Sequence, residues 1–61
     1  MPMTPRMQIT WDVLERAKDC GDETVIAACR RIIVADRIGW RKHGSQHDLN
    51  LVFAFDKEGQ S

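Results

Sequence analysis

Cysteine and histidine side chains are the first candidates for chemistry in this sequence. Cys20, Cys29, His43 and His47 could form a Cys2His2 zinc site. Eight residues separate the two cysteines, however, whereas the cysteine pairs of zinc fingers are about two to four residues apart. Gly44 lies between the histidines and would break a helix that aligned them. We therefore predict no metal and no cofactor, and we expect both cysteines to be reduced thiols facing the core.

Asp36 is the acidic residue in the most unusual position. On a helical wheel it falls at the centre of an apolar face, between Ile32 and Trp40. A buried carboxylate needs an ionic or hydrogen-bonding partner. We therefore expect Asp36 to be a buried polar residue that pairs with an arginine or accepts a hydrogen bond from the Trp40 indole.

Enzymatic activity is not predicted. General-base catalysis by Asp36 would require a second titratable group nearby, and the helical wheel places none beside it. The sequence also contains no glycine-rich phosphate loop, no paired catalytic carboxylates and no nucleophile next to a base. A general base at Asp36, in a cleft near His43 or His47, would be the enzymatic alternative.

Three arginines and a tryptophan form the main candidate binding site. Arg30, Arg37 and Arg41 follow one another at i, i+7 and i+11 of a predicted helix, with Trp40 beside them. Guanidinium groups bind carboxylates and phosphates, and an indole can stack on a ligand. We expect these four residues to bind an acidic surface of a larger protein. The alternative is a solvated border that flanks an interface, as e and g positions flank a coiled coil.

DNA binding is the second functional hypothesis. Residues 17–21, AKDCG, have the alanine and glycine spacing of a helix-turn-helix. Ala27 and Arg30 stand where that motif has larger apolar residues, and Asp22 and Glu23 would lead the reading helix towards phosphates that repel them. The formal net charge of zero also argues against a general nucleic-acid binder.

The element that must position these residues is a helix predicted over Asp22–Gly44, about 30 Å long at ~1.5 Å per residue. Asp22 is a suitable N-cap, and Gly44 could take the left-handed conformation after the last turn. Besides its main apolar face, this helix has a second, narrower ridge of Val34, Ala27 and Ile38. Since a surface helix of a monomer needs one apolar stripe, the second ridge predicts a dimer interface.

The segment before this helix has two interpretations. We favour a first helix over Trp11–Cys20, capped by Thr10 and preceded by a short strand at residues 6–9. The alternative is a longer helix that opens at Thr4-Pro5. In both cases Gly21-Asp22 predicts a tight turn between two antiparallel helices.

The last element also has two interpretations. From Leu49 to Phe55, every second residue is a large apolar one, which favours a strand. A helix capped by Asp48 is the alternative. The strand would need a partner, either residues 6–9 or the same strand of another subunit.

The favoured fold is a small α+β protein with the order β-α-α-β, in which an antiparallel helical hairpin packs on a short two-stranded sheet. The alternative is an all-α hairpin that dimerises into a four-helix bundle. Residues 1–61 are expected to form a single small domain with flexible tails at 1–5 and 57–61. The dimer interface is expected at Val34, Ile38, Leu51, Phe53 and Phe55.

Size and charge complete the functional prediction. A chain of 61 residues buries only about 60% of its unfolded surface, so partners are common. Residues 12–23 carry a net charge of −3 and residues 30–42 a net charge of +4, which suits antiparallel self-association. The longest uninterrupted apolar run is five residues, so neither a signal peptide nor a membrane span is expected. We predict a cytoplasmic, non-catalytic interaction protein that acts as a homodimer, such as an adaptor, a subunit or an inhibitor. A dimeric DNA-binding regulator is the alternative.

Overall fold

Four helices make up residues 4–59, which are the residues that the computed structural model describes. They are α1 (Pro5–Cys20), α2 (Glu23–Ile38), α3 (Trp40–His43) and α4 (Gln46–Gly59). No strand occurs within residues 4–59. The predicted α+β fold, with strands at 6–9 and 49–55, is therefore wrong, and the helical content agrees with the all-α alternative.

The start of α1 lies where the alternative interpretation placed it. The Met7 N–H donates to Thr4 Oγ1 at 3.3 Å, and Pro5 occupies the first turn. Thr10, the preferred cap, is instead fully buried inside the helix, where its hydroxyl donates to the carbonyl of Arg6 at 2.8 Å. The earlier start is favoured because it puts Met7 on the same buried face as Leu14, seven residues later.

The turn between α1 and α2 confirms the predicted hairpin. Gly21 has a φ of 74° and its N–H donates to the carbonyl of Lys18, while the Asp22 N–H donates to that of Ala17 at 3.0 Å. These two bonds satisfy carbonyls that the end of a helix leaves without partners. Asp22 then caps α2, because its Oδ1 accepts from the Val25 N–H at 3.3 Å.

The predicted continuous helix from 22 to 44 is interrupted at Gly39. This glycine has a φ of 127° and a ψ of 97°, a conformation that side chains with a Cβ rarely adopt. The interruption gives Trp40 a new helix start, and its indole packs partly buried against the core. Gly44 has an extended backbone with a φ of −67°, so the predicted left-handed conformation at this position is wrong.

The predicted strand from 49 to 55 lies inside α4. Ser45 caps this helix: its Oγ accepts from the Asp48 N–H at 3.3 Å and its carbonyl from the Leu49 N–H at 3.1 Å. A helix satisfies its backbone groups internally, whereas a lone strand would leave them unpaired. Of the tails predicted at 1–5 and 57–61, residue 4 caps α1, residue 5 begins it, and residues 57–59 finish α4. The remaining residues lie outside the described range.

Helices α1, α2 and α4 share one hydrophobic core. The completely or almost completely buried apolar side chains are Val13, Ala17, Ala28, Cys29, Ile32 and Val52. Cys29 is therefore a core residue, as predicted, but Cys20 is exposed at the end of α1. The buried face of α1 ends at Ala17, about one turn before Cys20.

The contrast between Ile32 and Val34 gives a first test of the fold. Ile32 is 1% exposed and Val34 is 53% exposed, although the two lie on the same helix. Ile32→Ala should lower the free energy of unfolding by about 2–5 kcal/mol, because it removes buried methyl groups and leaves a cavity. Val34→Ala should change it by less than about 0.5 kcal/mol. Urea denaturation followed by circular dichroism measures both, and equal losses would contradict the burial described here.

The two cysteines should differ in reactivity. Burial raises the pKa of the Cys29 thiol to about 11, and the side chain is closed to solvent, so little thiolate forms near neutral pH. An aromatic disulfide reagent at pH 8 should therefore label one thiol per native chain rapidly and two in denaturant. Cys20→Ser is the control, since it should leave no rapidly reacting thiol. Rapid labelling of two thiols in the native chain would show that Cys29 is accessible.

Candidate functional site

A groove of about 690 Å³ lies between the second half of α2, α3 and the beginning of α4. Its apolar lining comes from Val34, Ala35 and Ile38 of α2. Polar and charged side chains complete the lining; they are Arg30, Arg31, His43, Ser45, His47 and Asp48. The groove therefore combines an apolar surface with a border in which basic residues predominate.

Val34 and Ile38 are the large apolar side chains of this groove. They are 53% and 60% exposed, whereas their neighbour Ala35 is 2% exposed. The difference follows from the phase of α2: its core face carries Ile32 and Ala35, so positions 34 and 38 turn outward. The two side chains lie four residues apart and thus on the same side of the helix.

Asp48 and Arg31 form the most enclosed ion pair at the groove. Arg31 Nε and Nη2 donate to the two carboxylate oxygens of Asp48 at 2.9 and 2.8 Å. The Asp48 side chain is 5% exposed and the Arg31 side chain 58% exposed. The pair thus joins the first turn of α4 to the middle of α2.

This pairing also sets the protonation of both groups. The hydrogen bond from Arg31 holds the pKa of Asp48 below its usual value, against the opposing effect of burial. The positive charges of Arg31 and His47 and the hydrogen bond with Ser45 act in the same direction as the Arg31 hydrogen bond. The same interactions with Asp48 raise the pKa of Arg31. Asp48 is therefore ionised at neutral pH, and its negative charge is compensated within the groove.

The prediction that Asp36 is buried is wrong, and Asp48 is the buried aspartate. Asp36 is exposed, with 35% of its side chain accessible, and it accepts a hydrogen bond from Arg6 Nη2 at 3.0 Å. The expected arginine partner is thus present, but Asp36 is not buried. Because α1 begins at Pro5, it brings Arg6, and not an apolar side chain, next to Asp36. Asp48 holds the buried position. The sequence contained a signal for the start of α4 but not for this burial, since Ser45 followed three residues later by Asp48 before an apolar run marks a helix start.

The predicted partner-binding residues do not lie together. Arg30 lines the groove, and Arg37 and Arg41 are exposed outside its lining. Trp40 is half-buried, and the guanidinium carbon of Arg6 lies 4.2 Å from the centroid of its ring. Arg6 therefore occupies one face of the ring that was expected to stack on a ligand.

The predicted dimer-interface residues are also divided. Val34 and Ile38 line the groove, whereas Leu51 and Phe55 are half-buried against the chain's own core. Phe53 is 40% exposed on α4. An intermolecular strand at 49–55 is excluded because these residues are helical.

The surface around the groove is basic. None of the ion pairs seen within residues 4–59 involves Arg30, Arg37, Arg41 or Lys42. The nearby aspartates are paired with other arginines, Asp36 with Arg6 and Asp48 with Arg31. An approaching molecule therefore meets a positive field next to an apolar surface.

Residues 4–59 contain neither a cluster of metal-ligand side chains nor a membrane-spanning helix. In the described part of the chain, no three His, Cys, Asp or Glu side chains come together as a metal site would require. None of the helices within residues 4–59 has both the length and the apolar content to cross a membrane. Comparison of the chain with known protein families, curated proteins and solved structures gives no match.

The Asp48–Arg31 pair predicts a specific dependence of stability on pH. Because the folded-state pKa of Asp48 is lower than its unfolded value near 3.8, the pair's contribution is complete above that pH and is lost as the pH falls through the folded-state pKa. Asp48→Asn should lower the free energy of unfolding by on the order of 1 kcal/mol at pH 7, since Arg31 is partly solvated. This deficit should shrink below about pH 4.

The measurement is urea denaturation of both proteins from pH 7 to pH 2. Asn50→Ala is the control, because Asn50 lies on the exposed side of the same helix, where it accepts a hydrogen bond from Gln46. Its effect on stability should not vary with pH, since neither residue titrates. An Asp48→Asn deficit that is as large at pH 3 as at pH 7 would show that packing, and not the ion pair, causes the loss.

Proposed function

We propose that this protein is a non-catalytic protein–protein interaction module whose groove between α2 and α4 binds a segment of another protein. The observation that carries the proposal is the exposure of Val34 and Ile38, at 53% and 60%, beside basic side chains. Apolar side chains that lie next to one another in a groove, with polar groups around them, are characteristic of binding surfaces.

The size of the chain supports a surface larger than the groove itself. The described residues expose 4521 Å², and a standard protein interface takes about 800 Å² from each partner. A partner seated on Val34 and Ile38 would therefore extend over the adjoining exposed face of α2, where Arg30 and Arg37 lie seven residues apart. The proposal thus keeps Arg30 and Arg37 in the interface. It does not include Trp40, because Arg6 contacts the ring of that residue.

A different protein suits this surface better than a second copy of the chain. In a twofold dimer the same patch contacts itself. Because arginines line and flank the groove, a twofold contact through it would bring arginines of one copy close to arginines of the other, and like charges oppose such contacts. Homodimerisation through Val34 and Ile38 is the competing proposal, and it is tested below.

DNA binding is the alternative proposal. The exposed Arg37, Arg41 and Lys42 support it, since phosphates bind such side chains. Val34 and Ile38 do not support DNA binding, because aliphatic side chains make no favourable contact with a phosphate backbone. Binding to random duplex DNA at low salt, with an affinity that falls steeply as salt rises, would favour this alternative.

The cellular location is part of the proposal. Cys20 and Cys29 are free thiols, one exposed and one buried, which supports a reducing compartment such as the cytoplasm.

The test of the proposed function compares two variants of equal charge. Val34→Glu/Ile38→Glu should abolish capture of the partner from lysate of the natural host without loss of helicity, because both positions are exposed. Gln8→Glu/Asn50→Glu adds the same charge at exposed positions of α1 and α4 and should capture the partner as the wild type does. The readouts are quantitative mass spectrometry of captured proteins and circular dichroism.

Two results would contradict the proposal. One is a set of captured proteins that Val34→Glu/Ile38→Glu leaves unchanged. The other is a dimer at micromolar concentration, seen by light scattering against the 7.0 kDa expected of the monomer, which Val34→Glu/Ile38→Glu dissociates. The second result would assign the groove to a second copy of the chain.

A further inference from the structure

We infer that the groove takes an acidic amphipathic helix, one carboxylate of which binds the exposed edge of Arg31. This inference rests on the proposed function and deepens it by naming the chemistry of the partner. Three features of the groove support it, namely the spacing of its apolar side chains, the sign of its charges and the fixed orientation of one guanidinium group.

The apolar spacing fits a helix. Val34 and Ile38 lie four residues apart on α2, a separation of about 6 Å along the helix axis. A second helix lying in the groove would present its own apolar side chains at i and i+3 or i+4, which is a similar separation. The volume of about 690 Å³ is that of a site for a few side chains and not for a folded domain.

The sign of the charges selects an acidic helix. Arg30 and Arg31 line the α2 side of the groove and carry its positive charge. Asp48 is the acidic residue of the lining, and Arg31 already compensates it. Glutamate or aspartate side chains that flank the apolar residues of a partner helix would therefore meet complementary charge.

Arg31 is the residue most suited to bind a partner carboxylate. Its Nε and Nη2 donate to Asp48, which holds the planar guanidinium group in one orientation. More than half of the side chain, 58%, remains exposed, and no hydrogen bond involving Nη1 is seen within residues 4–59. A guanidinium that is already fixed loses little conformational freedom when it binds a second carboxylate. Asp48 is thus a positioning residue for Arg31.

The first experiment selects helices from a displayed library. Each member is a helical peptide of about 16 residues with two leucines fixed four positions apart and with flanking positions drawn from Glu, Gln and Lys. Selection on the wild-type protein should enrich glutamate, and a selected peptide should bind about tenfold more tightly than its Glu→Gln counterpart at low salt. Fluorescence anisotropy measures these affinities. Enrichment of lysine, or no preference among the three residues, would overturn the inference.

The second experiment isolates the role of Arg31. Asp48→Asn keeps the Arg31 charge but removes its fixed orientation, and it should weaken binding of the glutamate peptide about five- to tenfold more than binding of the glutamine peptide. Arg31→Lys should do the same, because a lysine cannot bind two carboxylates in the same geometry. Lys18→Arg is the charge-conserving control at an exposed position of α1, outside the groove lining, and should change neither affinity. Equal weakening of both peptides by Asp48→Asn would overturn the assignment of Arg31.

The two proposals can fail separately. If Val34→Glu/Ile38→Glu loses a cellular partner while the library shows no preference for glutamate, the interaction function stands and the acidic helix is refuted. If the same variant loses no partner and also binds the selected glutamate peptides as the wild type does, the groove is not the binding surface and both proposals are refuted.

Discussion

The ion pair between Asp48 and Arg31 is the contact on which the groove depends. It holds the first turn of α4 against the middle of α2 through two hydrogen bonds of 2.8 and 2.9 Å. Apolar packing alone is weakly directional, and a helix of 14 residues can slide or rotate on a small core with little change in buried area. A bidentate pair has one favourable geometry. It therefore determines where α4 begins relative to Val34 and Ile38, and thus which side chains border the groove.

Ion pairs between an arginine and an aspartate also join the other long helices. Arg6 pairs with Asp36 and links α1 to α2, and Arg16 pairs with Asp56 and links α1 to α4. Each pair of long helices is thus connected by one arginine and one aspartate. Ion pairs with at least one partly solvated side chain contribute little to stability, roughly 0–1 kcal/mol each. Their effect here is on geometry: they restrict the relative positions of three helices whose shared core is made largely of small and medium-sized side chains.

The parts of this fold that sequence alone predicted are those determined by local hydrogen bonds. The Gly21-Asp22 turn and the capping of α2 need only residues within five positions of one another, and both are present. The strand predicted over 49–55 failed for a local reason too. Six of its seven residues are apolar, so their alternation fits a strand and their i, i+3 spacing fits a helix equally well. The burial of Asp48 could not be read from its neighbours in sequence, because its partner Arg31 is 17 residues away.

Val34 and Ile38, the apolar residues of the proposed binding surface, are distinct from the residues of α2 that the fold buries. Ile32 and Ala35, on the core side of the same helix, are 1% and 2% exposed, and the fold needs them for its packing. Positions 34 and 38 would tolerate polar side chains without loss of that packing, since more than half of each side chain is exposed to solvent. Their apolar character is therefore not explained by the stability of the single chain. The proposed binding role would account for an apolar surface that folding does not require and for the adjacent guanidinium group that an internal aspartate already orients.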